Sequence, residues 1–227
     1  MEILVDDKIA LVESVQRTEQ IGNRYYNLFP TAVSMNDIGR DFTKKELDFI
    51  KKQEKRPNMG NVTSVDNYIL KNKELSNINK FIEKCLNNFY QSVYAPKEKV
   101  EIYITQSWLN YTQPGQFHHK HAHPNSFISG VLYLNAAGND KDRIFFYNES
   151  YKQIKLPPRE GGWNGWNSES WWLPVPTGTC VLFPSHLAHM VDTVQEDENR
   201  DTRISLSFNT FLKGYIGDEN QLTGLRL

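Results

Sequence analysis

All six histidines of the 227-residue chain fall in two short windows, His118-His119-Lys120-His121-Ala122-His123 and His186-Leu187-Ala188-His189. Imidazoles scattered for surface or packing reasons would not leave the rest of the chain empty, so the windows read as one constellation. Neutral imidazole is the commonest metal ligand among side chains. On an extended strand residues i and i+2 face the same way, so His121 and His123 can present two imidazoles to one point. His189, beyond the apolar run Cys180-Val181-Leu182-Phe183, is the natural third ligand. Two ligands from one strand and a third from a distant one make a facial set that leaves positions open on the metal's other side. His119 shares the parity of His121, so 119/121 is a competing pair. His118 and His186 are expected to point elsewhere. The plainer alternative is a surface histidine tract that binds metal adventitiously, and it has to explain two separated clusters at once.

The elements that hold these windows are legible in outline. Thr43 and Glu46 form a capping box, with Phe42 before the cap and Leu47 placed to staple across it. A helix from about Thr43 to Gln53 follows, ended by the turn-rich Arg56-Pro57-Asn58-Met59-Gly60. Ile78, Phe81, Ile82, Cys85, Leu86, Phe89, Tyr90 and Val93 recur at the three-and-four spacing of a second helix, closed by Pro96. From Val100 the period becomes two: Val100, Ile102 and Ile104 alternate with Glu101, Tyr103 and Thr105. Further strands are expected around Trp108 to Tyr111, Phe117 to His123, Ile128 to Asn135, Ile144 to Tyr147, Gln153 to Leu156, Thr179 to Phe183 and Arg203 to Phe211. Turn signals such as Gln113-Pro114-Gly115, Pro124-Asn125 and Pro176-Thr177-Gly178 separate them. The pattern is mainly β with flanking α-helices, an antiparallel barrel or sandwich covered from outside. It reads as a single domain, 1–227, with a helical support over 1–98 and the β core over 99–227. The stretch 161–173 is expected as a loop rich in tryptophan.

Composition narrows the function classes. Hydrophobic residues at 39% and charged residues at 23% describe a globular chain rather than a disordered one. A net charge of −1 gives no footprint for nucleic acid or an anionic membrane. Two cysteines, Cys85 and Cys180, are too few for a disulfide framework and fit a reducing compartment. The start, Met1 to Val5 followed by Asp6 and Asp7, lacks the basic and apolar regions of a signal peptide. No apolar run approaches the ~20 residues of a membrane span. A cytoplasmic protein is expected.

Several segments together resemble a known family. These are His121-x-His123, Ser129-Gly130-Val131-Leu132-Tyr133-Leu134-Asn135, Leu182-Phe183-Pro184-Ser185 ahead of His189, and Arg203-Ile204-Ser205-Leu206-Ser207-Phe208-Asn209. From Trp108 to Phe211 the chain is similar to the 2-oxoglutarate/Fe(II)-dependent oxygenases, closest to a phage and bacterial group related to the prolyl hydroxylase branch. The resemblance implies a double-stranded β-helix, the jelly roll of cupin-like proteins, and the cofactors Fe(II) and 2-oxoglutarate, with O2 as the other cosubstrate. His121, His123 and His189 would hold the metal. Arg203, whose planar fork suits a carboxylate, would bind the far end of 2-oxoglutarate with Ser205 and Tyr133. One departure stands out: the commoner family motif has Asp or Glu where this chain has His123.

The activity so implied is hydroxylation of a peptide side chain or a small metabolite. Asn110, Asn209, Trp163 and Trp166 are further pocket candidates. Two other readings are carried: a three-histidine, cupin-type dioxygenase without 2-oxoglutarate, and a noncatalytic β-sandwich binding module that keeps metal for stability.

Overall fold

In the computed structural model, which describes residues 25–96, 100–138, 141–149, 154, 156–195 and 201–227, the chain order is β1 (Ser34–Asp37), α1 (Lys44–Lys51), β2 (Lys55–Pro57), β3 (Val62–Ser64), two 3-10 turns (Ile69–Lys71 and Lys73–Leu75) and α2 (Ser76–Val93). Then follow β4 (Glu101–Thr112), β5 (His118–His121), β6 (Ile128–Asn135), β7 (Arg143–Tyr147), β8 (Ser170–Pro174), β9 (Thr179–Pro184), β10 (His189–Val191), β11 (Arg203–Lys213), β12 (Tyr215–Ile216) and β13 (Leu225–Arg226). The leader reading of Met1 to Val5 lies outside the described residues.

A seven-stranded antiparallel sheet, ordered β1-β9-β6-β11-β4-β3-β2, holds most of the strand residues; a four-stranded sheet, β5-β10-β7-β8, carries His118, His119, His121 and His189. Between them pack Val131, Tyr133, Ile144, Phe146, Val175, Val181 and Phe183. The other face of the large sheet buries Leu109, Leu132, Cys180, Leu182, Leu206 and Phe208 under α2, whose stripe Ile78, Ile82, Cys85, Leu86, Phe89 and Tyr90 is buried as its spacing requires. α1 begins where the capping box places it. The Thr43 side chain accepts the Glu46 N–H, and Glu46 takes the Thr43 N–H at 2.7 Å and the Arg40 guanidinium at 2.7 Å.

Several strands differ from the sequence expectations. The segments expected around Val100 and Trp108 are one strand, β4, because β11 pairs along its whole length. The first hundred residues supply β1, β2 and β3 to the large sheet as well as helices. Of the expected strand Gln153 to Leu156, Gln153 lies outside the described residues, and Ile154 and Leu156 are exposed and outside any strand. Trp171 and Trp172, expected in a loop, lie in β8, where Phe146 and Phe145 of β7 pair with them.

Gly130, on β6, shows how tightly the helix-covered face packs. A Cβ there would strike the Phe208 ring and approach Leu182 Cδ2 to 2.7 Å. Gly130→Ala is therefore expected to destabilise the fold by about 1–3 kcal/mol, the usual cost of overpacking. An unchanged urea-unfolding midpoint would contradict this.

Candidate metal centre

His121 ends β5, and His189 opens β10 directly opposite it in the ladder. His123 lies two residues past the strand end, not on it. Its backbone N–H leaves the ladder and donates to Ser185 O at 2.9 Å, ahead of the turn at Pro124-Asn125. The three imidazoles converge all the same, with one ligand atom from each lying within 4.8 Å of the others. Ring centroids are 4.7 Å apart for His121–His123, 4.5 Å for His121–His189 and 5.2 Å for His123–His189. Two of the rings have Nδ1 committed: His121 Nδ1 is 2.8 Å from His119 O, and His189 Nδ1 is 3.0 Å from Leu187 O. A ring that donates from Nδ1 keeps its lone pair on Nε2, so these two are held in the ligating tautomer.

The competing pair also takes shape. Among the described residues His118, His119 and His121 form a second cluster of the same span. It is poorer for coordination, because His118 stacks on His121 at 4.8 Å with ring planes only 15° apart. Lone pairs in nearly parallel rings do not converge on one point. His118 nonetheless does not point away as expected: it lines the same cavity as the triad. His186 is exposed.

Burial dominates the titration of the cluster. It pushes His118 and His189 down to about 3 and His123 to about 4, with neighbouring histidines adding to each shift; His121 is lowered too, again chiefly by burial. At neutral pH all four are uncharged, as ligation requires. The unfolded chain takes up protons near pH 6.5, while the folded chain resists them. Stability is thus full above about pH 6.5 and falls as pH drops toward 4 and 3, by at most about 1.4 kcal/mol per pH unit for each histidine. Metal-free protein should show this in urea-unfolding midpoints measured from pH 7 to pH 4.5; a flat profile would count against buried neutral imidazoles.

The small cavity beside the triad, about 30 Å³, is walled by Trp108, Val131, Phe183, Ser205 and Ser207 besides the histidines. Ser205 faces Asn110 on β4 and Tyr133 on β6 in one cross-strand row. Arg203, two residues earlier on the same face, is 3% exposed. Its Nη1 donates to Asp142 Oδ1 at 3.0 Å and to Asp192 O at 3.1 Å. Asp142 is 61 residues away in sequence and 0% exposed. Asp142 also takes the Ala137 N–H at 2.7 Å, fixing the turn between β6 and β7. Nothing in the sequence pattern marks this acid.

Three polar atoms around this row are buried without a hydrogen-bond partner among the described residues: Arg203 Nη2, Tyr133 OH and Asn110 Oδ1. Buried polar groups rarely go unpaired, since each costs about 1–3 kcal/mol. Two unpaired donors, one of them cationic, close to a cavity that holds three neutral imidazoles, suit an anionic oxygen ligand. Asn110 Nδ2 meanwhile donates to Ser207 Oγ at 2.9 Å.

The tryptophans divide. Trp163 and Trp166 are 57% and 50% exposed and do not line the cavity, contrary to expectation. Trp166 is drawn elsewhere, its indole N–H donating to Asn27 Oδ1 at 2.8 Å and its ring 6.1 Å from that of Tyr25. Trp171 instead stands in the cross-strand row His121, His189, Phe146, Trp171 of the small sheet. No helix among the described residues is long and apolar enough to cross a membrane.

Residues 106–209 match the family described as "Putative 2OG-Fe(II) oxygenase". No curated protein matches the chain. A 2OG-Fe(II) oxygenase-family oxidoreductase from Burkholderia pseudomallei superposes with a TM-score of 0.50 at 14% identity, covering 72% of this chain and 74% of that one. HygX from Streptomyces hygroscopicus, solved with nickel, 2-oxoglutarate and hygromycin B, gives 0.54 at 11% identity over 79% and 82%. SnoN, an alpha-ketoglutarate-dependent epimerase of nogalamycin biosynthesis, gives 0.53 at 9% over 80% and 78%. At these identities the likeness is one of fold, and that fold is the jelly roll, the double-stranded β-helix.

Proposed function

We propose, from the match of residues 106–209 to the 2OG-Fe(II) oxygenase family, that the protein is an oxygenase of that kind and a hydroxylase of a peptide side chain or a small metabolite. The family's cofactors are Fe(II) and 2-oxoglutarate. In this reading His121, His123 and His189 hold the metal, and Arg203, Ser205 and Tyr133 hold the distal carboxylate of 2-oxoglutarate. The observation that carries it is the pair of unpaired buried donors, Arg203 Nη2 and Tyr133 OH, beside the three-histidine cavity. A carboxylate accepts from both and relieves both.

Bound together, Fe(II) and 2-oxoglutarate couple O2-driven decarboxylation of 2-oxoglutarate, giving succinate and carbon dioxide, to oxidation of a substrate C–H bond. The protein's share is positional. The Nδ1–H groups of His121 and His189 point their Nε2 atoms into the site. Asp142 holds the Arg203 guanidinium from behind, leaving Nη2 for the cosubstrate. Val131, Ile144 and Phe183 keep the wall apolar and limit water. Trp171, in the metal row at the edge of the small sheet, is placed to meet a substrate that enters there. Nucleic acid is disfavoured as substrate by the balanced charge. We place the protein, as one domain, in the cytoplasm.

The test is an anaerobic titration of 2-oxoglutarate into Fe(II)-loaded protein, followed by admission of oxygen. A weak visible charge-transfer band and then succinate are expected. Neither band nor succinate would sink the reading.

A further inference from the structure

Unlike the other two ligand candidates, His123 has no backbone carbonyl hydrogen-bonded to its Nδ1 among the described residues. Its neighbour there is the Asn209 side chain, with Nδ2 3.5 Å away. Asn209 sits on β11 where the ladder to β4 shifts register, opposite Ser129 of β6. Its Oδ1 takes the Ser129 hydroxyl at 2.8 Å. From Ser129 a chain of hydroxyls continues: Ser129 Oγ to Ser185 Oγ at 2.8 Å, Ser185 Oγ to Ser126 Oγ at 2.7 Å, Ser126 Oγ to Ile128 O at 3.3 Å. Ser129 and Ser185 are fully buried, so bulk water does not serve them.

Counting protons decides how this chain runs. Along the chain from the amide to the Ile128 carbonyl there are four contacts, besides a longer one of 3.5 Å between Ser126 and Ser129, while three hydroxyls bring three protons. With the amide oxygen toward Ser129, the Ser129 proton goes to Asn209, the Ser185 proton to Ser126 and the Ser126 proton to the Ile128 carbonyl. Ser129 then meets Ser185 at 2.8 Å with no proton between two oxygens. A half-turn of the amide places Nδ2 on Ser129 and Oδ1 on His123. The amide supplies the fourth proton, all four contacts are satisfied, and the protons run one way to the carbonyl. The donation from Ser185 to Ser126 already has that sense.

The same half-turn decides the chemistry of His123. An amide nitrogen facing Nδ1 demands a lone pair there and puts the proton of a neutral ring on Nε2, leaving nothing to bind a metal. An amide oxygen facing Nδ1 accepts its proton and frees the Nε2 lone pair. All three rings then follow one rule, with Nδ1–H donated to His119 O, Leu187 O and Asn209 Oδ1.

We propose that Asn209 is a positioning residue whose amide oxygen fixes His123 in its ligating tautomer, latched by the Ser129–Ser185–Ser126 hydroxyl chain. This rests on the reading of His123 as a ligand and deepens it. In this chain, where the commoner motif has a carboxylate that needs no tautomer, the histidine requires a device to set one.

Nitrogen-15 NMR of histidine-labelled, metal-free protein at neutral pH tests this without any variant. The expected spectrum has His123 protonated at Nδ1 and bare at Nε2, and the reverse tautomer overturns the proposal. Co(II) titration is the second measurement. Asn209→Leu should bind about 10–100-fold more weakly, the usual cost of losing a group that orients a ligand. Asn209→Asp, which presents only acceptors, should stay within a few-fold of the parent, and Ser129→Ala should weaken binding less than Asn209→Leu. Unchanged affinity in Asn209→Leu, or a loss in Asn209→Asp as large as in Asn209→Leu, overturns the proposal. A parent protein with the expected tautomer that binds no Co(II) would keep the hydrogen-bond assignment and remove the metal reading instead.

Discussion

Arg203→Ala is expected to abolish 2-oxoglutarate binding and, at the same time, to destabilise the fold by about 3–5 kcal/mol. Both effects have one origin. The guanidinium donates to Asp142, which is fully buried, and Arg203 stands two residues before Ser205, which lines the cavity. Removing it leaves the Asp142 carboxylate in the interior without its cation, the costly half of breaking a buried ion pair. On the proposed function it also takes away the charged donor to the distal carboxylate of 2-oxoglutarate, worth on the order of 2–5 kcal/mol of binding. The two consequences separate in the double variant Arg203→Leu/Asp142→Leu. Stability should recover most of its loss, because no charge is left buried, while 2-oxoglutarate binding stays absent. Urea unfolding reads the first and isothermal titration calorimetry the second. If Arg203→Ala still bound 2-oxoglutarate, Arg203 would not be its anchor; if the parent protein bound none, the three-histidine dioxygenase without 2-oxoglutarate would become the better account.

His189→Ala should have the larger effect on metal. His189 faces His121 across the ladder and approaches His123, so its loss breaks the cluster from the side of the small sheet. Losing even a group that orients a ligand costs about 10–100-fold in affinity, and losing a ligand should exceed that. Fe(II) and Co(II) affinities are expected to fall by more than about 100-fold, and succinate formation to the background of metal-free protein. His186→Ala, three residues away and exposed, is the matched control and should change neither. A His189→Ala protein that kept parent-like Co(II) affinity would move the metal to another cluster.

How much of this was legible beforehand follows from the range of the interactions concerned. The α2 stripe and the Thr43 capping box are set by neighbours three and four residues apart, and both stand as the spacing required. β8 escaped because its residues Ser170–Pro174 follow a Gly- and Asn-rich stretch and lack alternation; only pairing with β7 makes them a strand. Strand parity points His118 away from the site, yet it stacks on His121 and lines the cavity. Trp163 and Trp166 were drawn to the pocket by their residue type, whereas contacts to Asn27 and Tyr25 place Trp166 outside it.

The histidines with which the chain was first read owe their grouping to both levels. Sequence alone determined that two windows hold every imidazole, that the chain from Val100 is built of strands, and that an arginine and a serine share one strand face beyond them. Those are matters of residue type and period, which the backbone carries locally. Only the tertiary structure decided that His123 joins the cluster from beyond its strand, that Asp142 holds Arg203, and that Asn209 stands over His123. Each of these joins residues more than 60 positions apart. Their meeting depends on which strands pair and in what register, and no local period records that.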